Sequence, residues 1–504
     1  MKVNKSLFYV LSIALISNIG LNSCDLNNYD YLEFILLNNN LEYGVKYNEN
    51  YEGEIKNNEV IIPEIYNDKK VTTILERAFA ENKTIENVKL PNGIKTIERG
   101  AFFECDNLKE ISLPDSLTVI NDETFYSCDS LKVVRIPDSV TLIGESSFAY
   151  SKNLKTIYLP ESLETIGAYA FDGCNNVKGI DFSNSLKVID KMAFQNTGII
   201  KLNLPNSLTQ IKESAFNDCN YLEKITFEEN SIISEISTAA FANCNLITEI
   251  ELPNSINVLG NSVFANCLSL NKVTLPENLK AIPDSAFTNT NIYSITLPET
   301  ITSIGSFAFK NCNILNQISL PEGLKTIGIE TFANCQKLEF IKLPKSLTHV
   351  SNSAFLNTKT KNLFYNGTMA DWCQIKFLNE NANPMVSCDY FSLLKDENSY
   401  YADVIVSIPS GVEKINSYQF ANSPHLAIII PKSVKTIAKD AFLNSKITTI
   451  YFEGSKEEYN QIVIDSSNKE IDSCNVYYYA LKNSIENPEH IYWDYNSSNE
   501  PEIW

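Results

Sequence analysis

Hydrophobic positions recur along most of the chain in a block that reads roughly L-x-x-I-x-L-P-x-S-L-x-x-I-G-x-x-A-F-x-x-C. Within residues 108–128, Ile111 and Leu113 alternate with polar residues, which is typical of a short half-buried strand. The strand is predicted to end at Pro114, because proline has no N–H to give to a ladder. Each block therefore begins with a short strand whose apolar side chains face a core.

The remainder of each block predicts a return to the core and a turn. Leu117 and Ile120 supply a second apolar pair, and a turn-forming residue, often Gly, Asn, Asp or Ser, usually follows. After this turn we expect a short helical stub that carries Phe125. A block of this kind has five or six apolar positions and cannot bury them alone, so neighbouring blocks must stack.

The phenylalanine measures the period, with spacings of 22–25 residues through the first thirteen copies. The fifteen copies are Phe79, Phe102, Phe125, Phe148, Phe171, Phe194, Phe216, Phe241, Phe264, Phe287, Phe309, Phe332, Phe355, Phe420 and Phe442. Such regularity predicts a repeat solenoid of about fifteen coils. With strands about 4.8 Å apart, fifteen stacked coils would extend roughly 70 Å.

The repeated words LPNSLTQIKESAFNDC and LPEGLKTIGIETFANC closely resemble the BspA-like, or Treponema-type, leucine-rich repeat family. The resemblance covers about residues 59–358 and 404–453, and residues 364–377 and 451–464 resemble the units that end its arrays. It implies a right-handed leucine-rich-repeat superhelix with a parallel β-sheet face and short helical turns. It also implies a non-catalytic cell-surface protein that binds an extracellular or host-surface protein or glycan.

The first 24 residues predict export. Two lysines precede an apolar run, Leu7 to Ile16, that is too short to span a membrane but suits a signal peptide. The segment ends in LNSC, which resembles the lipobox of bacterial lipoproteins and implies cleavage before Cys24, acylation of that cysteine and anchoring in a membrane. Ordinary secretory cleavage nearby is the alternative.

The period divides the chain into six segments. They are a signal peptide (1–23), an N-terminal linker and β cap (24–58), the main repeat array (59–358), a non-repeat insert or cap (359–403), two further repeats (404–453), and a C-terminal unit and tail (454–504).

Cysteine takes the third place after the repeat phenylalanine in eight coils: Cys105, Cys128, Cys174, Cys219, Cys244, Cys267, Cys312 and Cys335. Serine, threonine or asparagine takes that place in the other seven, which favours a buried structural ladder of free thiols over reactive or metal-binding sulfur. Disulfides between neighbouring coils fit poorly because their Cβ vectors would be parallel. A bridge between Cys373 and Cys388 stays open, since exported proteins form disulfides.

Charge and motifs narrow the function. The formal net charge of −20 disfavours nucleic acid as a partner. The chain has three histidines and contains no G-x-S-x-G, H-E-x-x-H or phosphate-binding glycine loop. We therefore expect no enzyme activity, no catalytic residues, no cofactor and no metal site.

Residues between the apolar positions of each strand are expected to form an extended outward face of mixed charge. Arg135, Tyr158, Phe340 and Lys342 are the first candidates for partner binding there, since aromatic and arginine side chains dominate hot spots. No aromatic cluster in the sequence is dense enough to indicate a glycan site. The alternative function is a structural spacer or a self-associating surface coat component.

Overall fold

The computed structural model describes residues 29–396, 399–401, 405–481 and 491–504. It is a solenoid of about 17 turns, which confirms the predicted stack of parallel strands. Fifteen of these turns carry a repeat phenylalanine, and two more contain short helices in the part of the coil between the strands. We call residues 59–394 the main array and residues 405–479 the second array.

Each typical coil contributes a long strand and a short strand, and each set stacks along the solenoid in parallel register. The long strands are Glu59–Ile61, Asn87–Lys89, Glu110–Ser112, Val133–Arg135, Thr156–Tyr158, Lys201–Leu204, Lys224–Phe227, Glu249–Glu251, Lys272–Thr274, Gln317–Ser319, Phe340–Leu343, Asn362–Tyr365, Tyr390–Asp396, Ile405–Ser407, Ala427–Pro431, Thr449–Glu453 and Asn475–Tyr479. The short strands are Lys69–Ile74, Thr96–Ile97, Val119–Ile120, Leu142–Ile143, Thr165–Ile166, Val188–Ile189, Gln210–Ile211, Glu235–Ile236, Val258–Leu259, Ala281–Ile282, Ser303–Ile304, Thr326–Ile327, His349–Val350, Lys376–Phe377, Lys414–Ile415, Thr436–Ile437 and Val463–Ile464.

The remaining elements cap the arrays or replace turns. The capping strands are Leu32–Leu37, Glu42–Tyr47, Ile65–Tyr66, Ser399–Tyr401, Tyr492–Tyr495 and Pro501–Ile503. The α-helices are α1 (Met369–Trp372), α2 (Lys456–Tyr459) and α3 (Lys469–Asp472), and 3₁₀ turns cover Lys56–Asn58, Glu380–Ala382 and Pro384–Ser387.

Alternation along the long strands determines which side chains face the core. Val134 is buried, whereas Val133 and Arg135 on either side of it are exposed. The register pairs each position with its counterpart in the next coil, as in Arg135 opposite Tyr158. Equivalent positions therefore form continuous rows, as the period predicts.

The repeat phenylalanines form one continuous stack through the main array. From Phe79 to Phe355, the ring centroids of neighbouring coils lie 5.2–5.9 Å apart and the ring planes differ by 2–19°. Phe420 and Phe442 repeat this arrangement in the second array at 5.6 Å. Fully buried aromatic side chains contribute the largest apolar areas to such a core.

The segment that carries each phenylalanine consists of tight turns, and the predicted helical stub is wrong at these positions. In every typical coil the residues two before and two after the phenylalanine have a left-handed φ, as at Ala239 (54°) and Asn243 (61°) around Phe241. Two left-handed residues four positions apart interrupt any right-handed helix. Close packing between coils also restricts the residue type at position 260 to glycine, because a Cβ on Gly260 would lie 2.2 Å from the backbone nitrogen of Thr238.

Asparagine occupies the second left-handed position in six successive coils and forms a side-chain ladder that the sequence reading missed. Each Nδ2 donates to the Oδ1 of the preceding asparagine at 2.6–2.8 Å, beginning with Asn266 to Asn243 and ending with Asn357 to Asn334. Asparagine suits this place twice over, because it tolerates a left-handed backbone and both donates and accepts hydrogen bonds.

Residues 362–377, assigned from the sequence to a non-repeat insert or cap, form an additional coil. Asn362–Tyr365 and Lys376–Phe377 pair in parallel with the corresponding strands of the preceding coil. Helix α1 lies between these strands and begins with a capping box formed by Thr368 and Asp371. Helix α2 has the same arrangement in the second array, so both arrays close with a strand–helix–strand coil.

Both ends of the main array are covered. At the start, Glu42–Tyr47 pairs with Lys69–Ile74 and covers the open edge of the first coil. At the other end, the Trp372 indole N–H donates to the Gln419 carbonyl at 3.2 Å, and the Gln419 amide donates back to the Trp372 carbonyl at 2.6 Å. These reciprocal bonds join the second array to the main array, and one apolar core runs through both.

Candidate binding face

The outward positions of the long strands in the main array form a continuous exposed surface, which we call the open face. Most of its side chains are polar or charged, and most of their apolar neighbours within the strands lie buried beneath them. Oppositely charged side chains pair between coils, as in Lys89 with Glu59 at 2.8 Å and Lys272 with Glu249 at 3.9 Å. Exposed pairs of this kind contribute little to stability, so the residues are not fixed by folding needs.

The structure brings Arg135 and Tyr158 together on the open face. The guanidinium carbon lies 4.3 Å from the centroid of the tyrosine ring, in a cation–π contact between adjacent coils. Tyr158 remains 47% exposed, so the ring has surface left for a partner. These two predicted residues therefore pack against each other and form one exposed pair.

Phe340 and Lys342 lie on the same strand, eight coils further along. With about 4.8 Å per coil, that separates them from Tyr158 by roughly 38 Å. Both line a concavity of about 530 Å³, together with the half-buried Phe364. The four predicted residues thus form two distant pairs on one face, not a single site.

A concavity of about 850 Å³ on the open face lies between these pairs, and we call it the charged groove. It adjoins the one coil of the main array whose phenylalanine spacing is 25 residues, where Phe227 and Glu228 replace the usual Leu-Pro and Asn230 adopts a left-handed φ of 58°. The lining includes Lys224 and Lys272 and five glutamates, for a net formal charge of −3. The five are Glu228, Glu229, Glu249, Glu251 and Glu277.

The open face contains two further aromatic residues that the sequence did not identify as candidates. Phe364 lies opposite Lys342 in the next coil, and Tyr390, 63% exposed, lies opposite Asn362 in the coil after that. Both belong to the segment read as an insert, where the A-F-x-x-C word is missing. The signal was present nonetheless, because Phe364 follows Lys342 by 22 residues, one repeat period.

In the second array the corresponding face is apolar and covered. Ala427, Ile429 and Tyr451 point outward from its long strands and are buried under Trp493. The Trp493 indole N–H donates to the carbonyl of Phe452 at 3.1 Å. Its strand, Tyr492–Tyr495, pairs with the last long strand and with Pro501–Ile503, so the C-terminal hairpin seals this face.

The eight ladder cysteines are buried free thiols. In all eight, the thiol donates to the carbonyl of the preceding coil's phenylalanine, as from Cys267 to Phe241 at 3.1 Å; the Ser151 hydroxyl makes the same bond to Phe125 at 2.9 Å. This shared bond explains why serine replaces cysteine in the repeat. Burial raises the pKa of Cys267 to about 12, so the reactive thiolate is absent at neutral pH.

The three described cysteines outside the ladder are also free thiols. Cys373 and Cys388 are buried and unbridged, and desolvation raises the pKa of each to about 12. Cys474 donates to the carbonyl of Ile447 at 3.3 Å. No bridge between Cys373 and Cys388 is present in this structure.

Within the described residues there is no group of three or more His, Cys, Asp or Glu side chains arranged to hold a metal ion. His425 contacts the Ser423 hydroxyl at 2.9 Å, but both residues are buried and the imidazole packs edge-on against the Phe391 ring. Desolvation lowers the pKa of His425 to about 4, which keeps the ring neutral. We interpret this pair as packing at the junction of the arrays, since a substrate has no access to it.

Cys24, the predicted lipidation site, and the predicted signal peptide lie outside the described residues. Among residues 29–396, 399–401, 405–481 and 491–504, no helix has the length and hydrophobicity needed to cross a membrane.

Comparison with known proteins agrees with the coil geometry. A family model described as "BspA type Leucine rich repeat region (6 copies)" matches residues 55–176, 141–270, 258–382 and 400–489. No curated protein matches the chain.

Several solved structures are similar to this chain. A leucine-rich repeat protein from Bacteroides ovatus is 24% identical, with a TM-score of 0.48 over 66% of this chain and 93% of its own. A leucine-rich cell surface protein from Faecalibacterium prausnitzii is 24% identical, with a TM-score of 0.44 over 69% and 96%. The pneumococcal vaccine antigen PcpA is 20% identical, with a TM-score of 0.37 over 86% and 97%.

Proposed function

Because the family model matches well over half of its residues, the chain belongs to the BspA-type leucine-rich repeat family, and we propose that it binds a protein or glycan partner at the cell surface through the open face. The proposal is for a non-enzymatic adhesion or binding protein. Repeat families of this architecture use extended faces for binding.

The observation that carries the proposal is the contrast between the two long-strand faces. The second array buries its outward face beneath the C-terminal hairpin, whereas the main array leaves its face exposed over thirteen long strands. The open face combines aromatic and cationic side chains, such as Tyr158 and Arg135, with the charged groove. Such anchors carry most of the energy in protein interfaces.

We further propose that the protein is exported and held on a bacterial membrane by acyl chains on Cys24. The signal-like segment and the LNSC word support this proposal. Metabolic labelling of cells with a fatty acid should mark the protein, and Cys24→Ser should remove the label and release the protein from membranes. Equal labelling of the variant would contradict the anchor.

The binding proposal is tested by capture of extracellular-matrix and surface proteins on the purified protein. Lys224→Glu with Lys272→Glu should strongly weaken capture of the principal partner, because both lysines lie on the open face. Lys325→Glu, an exposed lysine beside the short-strand ladder, is the matched control and should retain capture. Equal loss in both variants would contradict the assignment to this face.

Self-association is the competing outcome. Sedimentation of the purified protein without added ligand should show a monomer if the open face serves a foreign partner. A concentration-dependent oligomer that the two lysine reversals dissolve would instead support a spacer or coat role.

A further inference from the structure

We propose that the concavity at the end of the open face near the second array binds an uncharged pyranose ring of a glycan, an inference that rests on the proposed binding role of that face. The site, which we call the aromatic end, comprises Phe340 and Phe364 with the polar side chains beside them. The proposed ligand class applies to this part of the open face only, and the charged groove is available for other contacts.

Two aromatic side chains, Phe340 and Phe364, line this concavity from neighbouring long strands, and Tyr390 lies on the long strand after them. Phe340 is 40% exposed, Tyr390 is 63% exposed and Phe364 is half-buried between them. Neighbouring strands lie about 4.8 Å apart, so the three rings span roughly 10 Å. The electron-rich face of an aromatic ring suits the weakly positive C–H groups on one side of a pyranose, and rings held by a rigid sheet lose little freedom on binding.

Hydroxyl and amide groups supply the polar part of the site. Ser294, Thr296, Gln317 and Ser319 project into the same concavity as Phe340. Within the described part of the chain, these four side chains make no hydrogen bond, so their polar atoms are available to a ligand. Hydroxyls donate and accept, and an amide does both through separate atoms, which matches the mixed demand of sugar hydroxyls.

Charge and size distinguish this site from the charged groove. The concavity contains one carboxylate, Glu299, and one ammonium group, Lys342, so its formal charge is zero. The groove carries −3 and has few aromatic contacts to offer. The volume of about 530 Å³ lies within the range of about 300–1,000 Å³ common for small-ligand sites. An uncharged ring therefore fits the aromatic end better than a basic peptide does.

Saturation-transfer difference NMR with the purified full chain tests the inference. The probes are the separate methyl glycosides of glucose, galactose, mannose and N-acetylglucosamine. We expect saturation transfer to the ring C–H protons of at least one glycoside. Phe340→Ala and Phe364→Ala should each weaken its binding by roughly tenfold, because each removes one stacking surface. Phe340→Tyr should retain binding, since it keeps the ring.

Tyr221→Ala is the matched control, because it removes an exposed aromatic residue that lies outside the long strands, five coils away. It should leave glycoside binding unchanged. The inference is overturned if no glycoside shows saturation transfer, or if binding survives both Phe340→Ala and Phe364→Ala. Capture of a surface protein that depends on Lys224 and Lys272, in a protein that binds none of the glycosides, would uphold the proposed function while rejecting the glycan site.

Discussion

The long strands of the main array and of the second array share one backbone arrangement but present opposite outward faces. At equivalent positions, the main array carries residues such as Arg135 and Ser319, whereas the second array carries Ile429 and Tyr451. The polar face is exposed, and the apolar face is covered by the hairpin that contains Trp493. The coil determines which side chains point outward. Where these side chains are apolar, the C-terminal hairpin covers them, and where they are polar, they stay exposed.

Removing Trp493, the central side chain of the C-terminal hairpin, should have the largest effect on the covered face of the second array. Trp493→Ala should destabilise the second array by about 3–5 kcal/mol, because a fully buried indole and its hydrogen bond to Phe452 are lost. Hydrogen exchange should accelerate in Ala427–Pro431 and Thr449–Glu453 and stay unchanged in Val133–Arg135. Tyr158→Ala, on the open face, is the control and should alter exchange in neither array. Equal acceleration throughout the chain would contradict a locally acting cover.

The second largest effect is expected from low pH, which should reduce stability at the junction of the two arrays. The folded-state pKa of His425 is depressed to about 4 by burial, so its neutral form is favoured. Stability is therefore complete above the unfolded pKa of about 6.5 and falls as pH drops toward 4, by about 2–3 kcal/mol. Hydrogen exchange near the junction, measured at pH 7.5 and pH 4.5, should show this loss in wild type. His425→Gln should flatten it, and an unchanged pH response in that variant would refute the assignment.

The asparagine ladder sharpens the comparison within the turns of the coils. Asn289 both donates to Asn266 and accepts from Asn311, whereas the Asn422 amide nitrogen in the second array is buried without a partner. Asn289→Ala should cost about 1–2 kcal/mol, more than Asn422→Ala, since only the former breaks two hydrogen bonds. Urea unfolding measures both. Asn289→Gly separates the two causes, because glycine accepts the left-handed φ of 59° but cannot bond.

The smallest effect is expected for the thiols. Cys267→Ser should change stability by less than about 1 kcal/mol, because Ser151 already makes the same bond to a phenylalanine carbonyl. Urea midpoints compare the two proteins, and Cys267→Val, which cannot donate, should cost more. A thiol count in the unfolded, unreduced protein should find most ladder cysteines free. Fewer than about half would contradict the ladder.

The sequence predicted the repeating parts of this structure well. The period located the strands, the buried phenylalanines and the cysteine ladder, because each of these depends only on neighbours one coil away. It also named Arg135, Tyr158, Phe340 and Lys342, whose side chains lie on the open face. Their role in binding stays a proposal.

Features that depend on tertiary contacts could not be predicted from the sequence. The left-handed residues include Met192 and Tyr169, types that signal no such backbone, so the turns were read as a helix. The coil at residues 362–377 lacks the repeat phenylalanine and was read as an insert. The cover over the second array requires Trp493 to meet Tyr451, a pairing across 42 residues that no local pattern announces.

The open face and the covered face are compared most directly by hydroxyl-radical footprinting of the protein alone and bound to its target cells or matrix. In the free protein, Tyr158, Phe340 and Tyr390 should be oxidised, while Tyr451 and Trp493 should be protected. Target binding should protect the first group, or part of it, and leave the second group unchanged. Oxidation of Trp493 in the free protein, or target protection confined to residues outside the open face, would contradict the account.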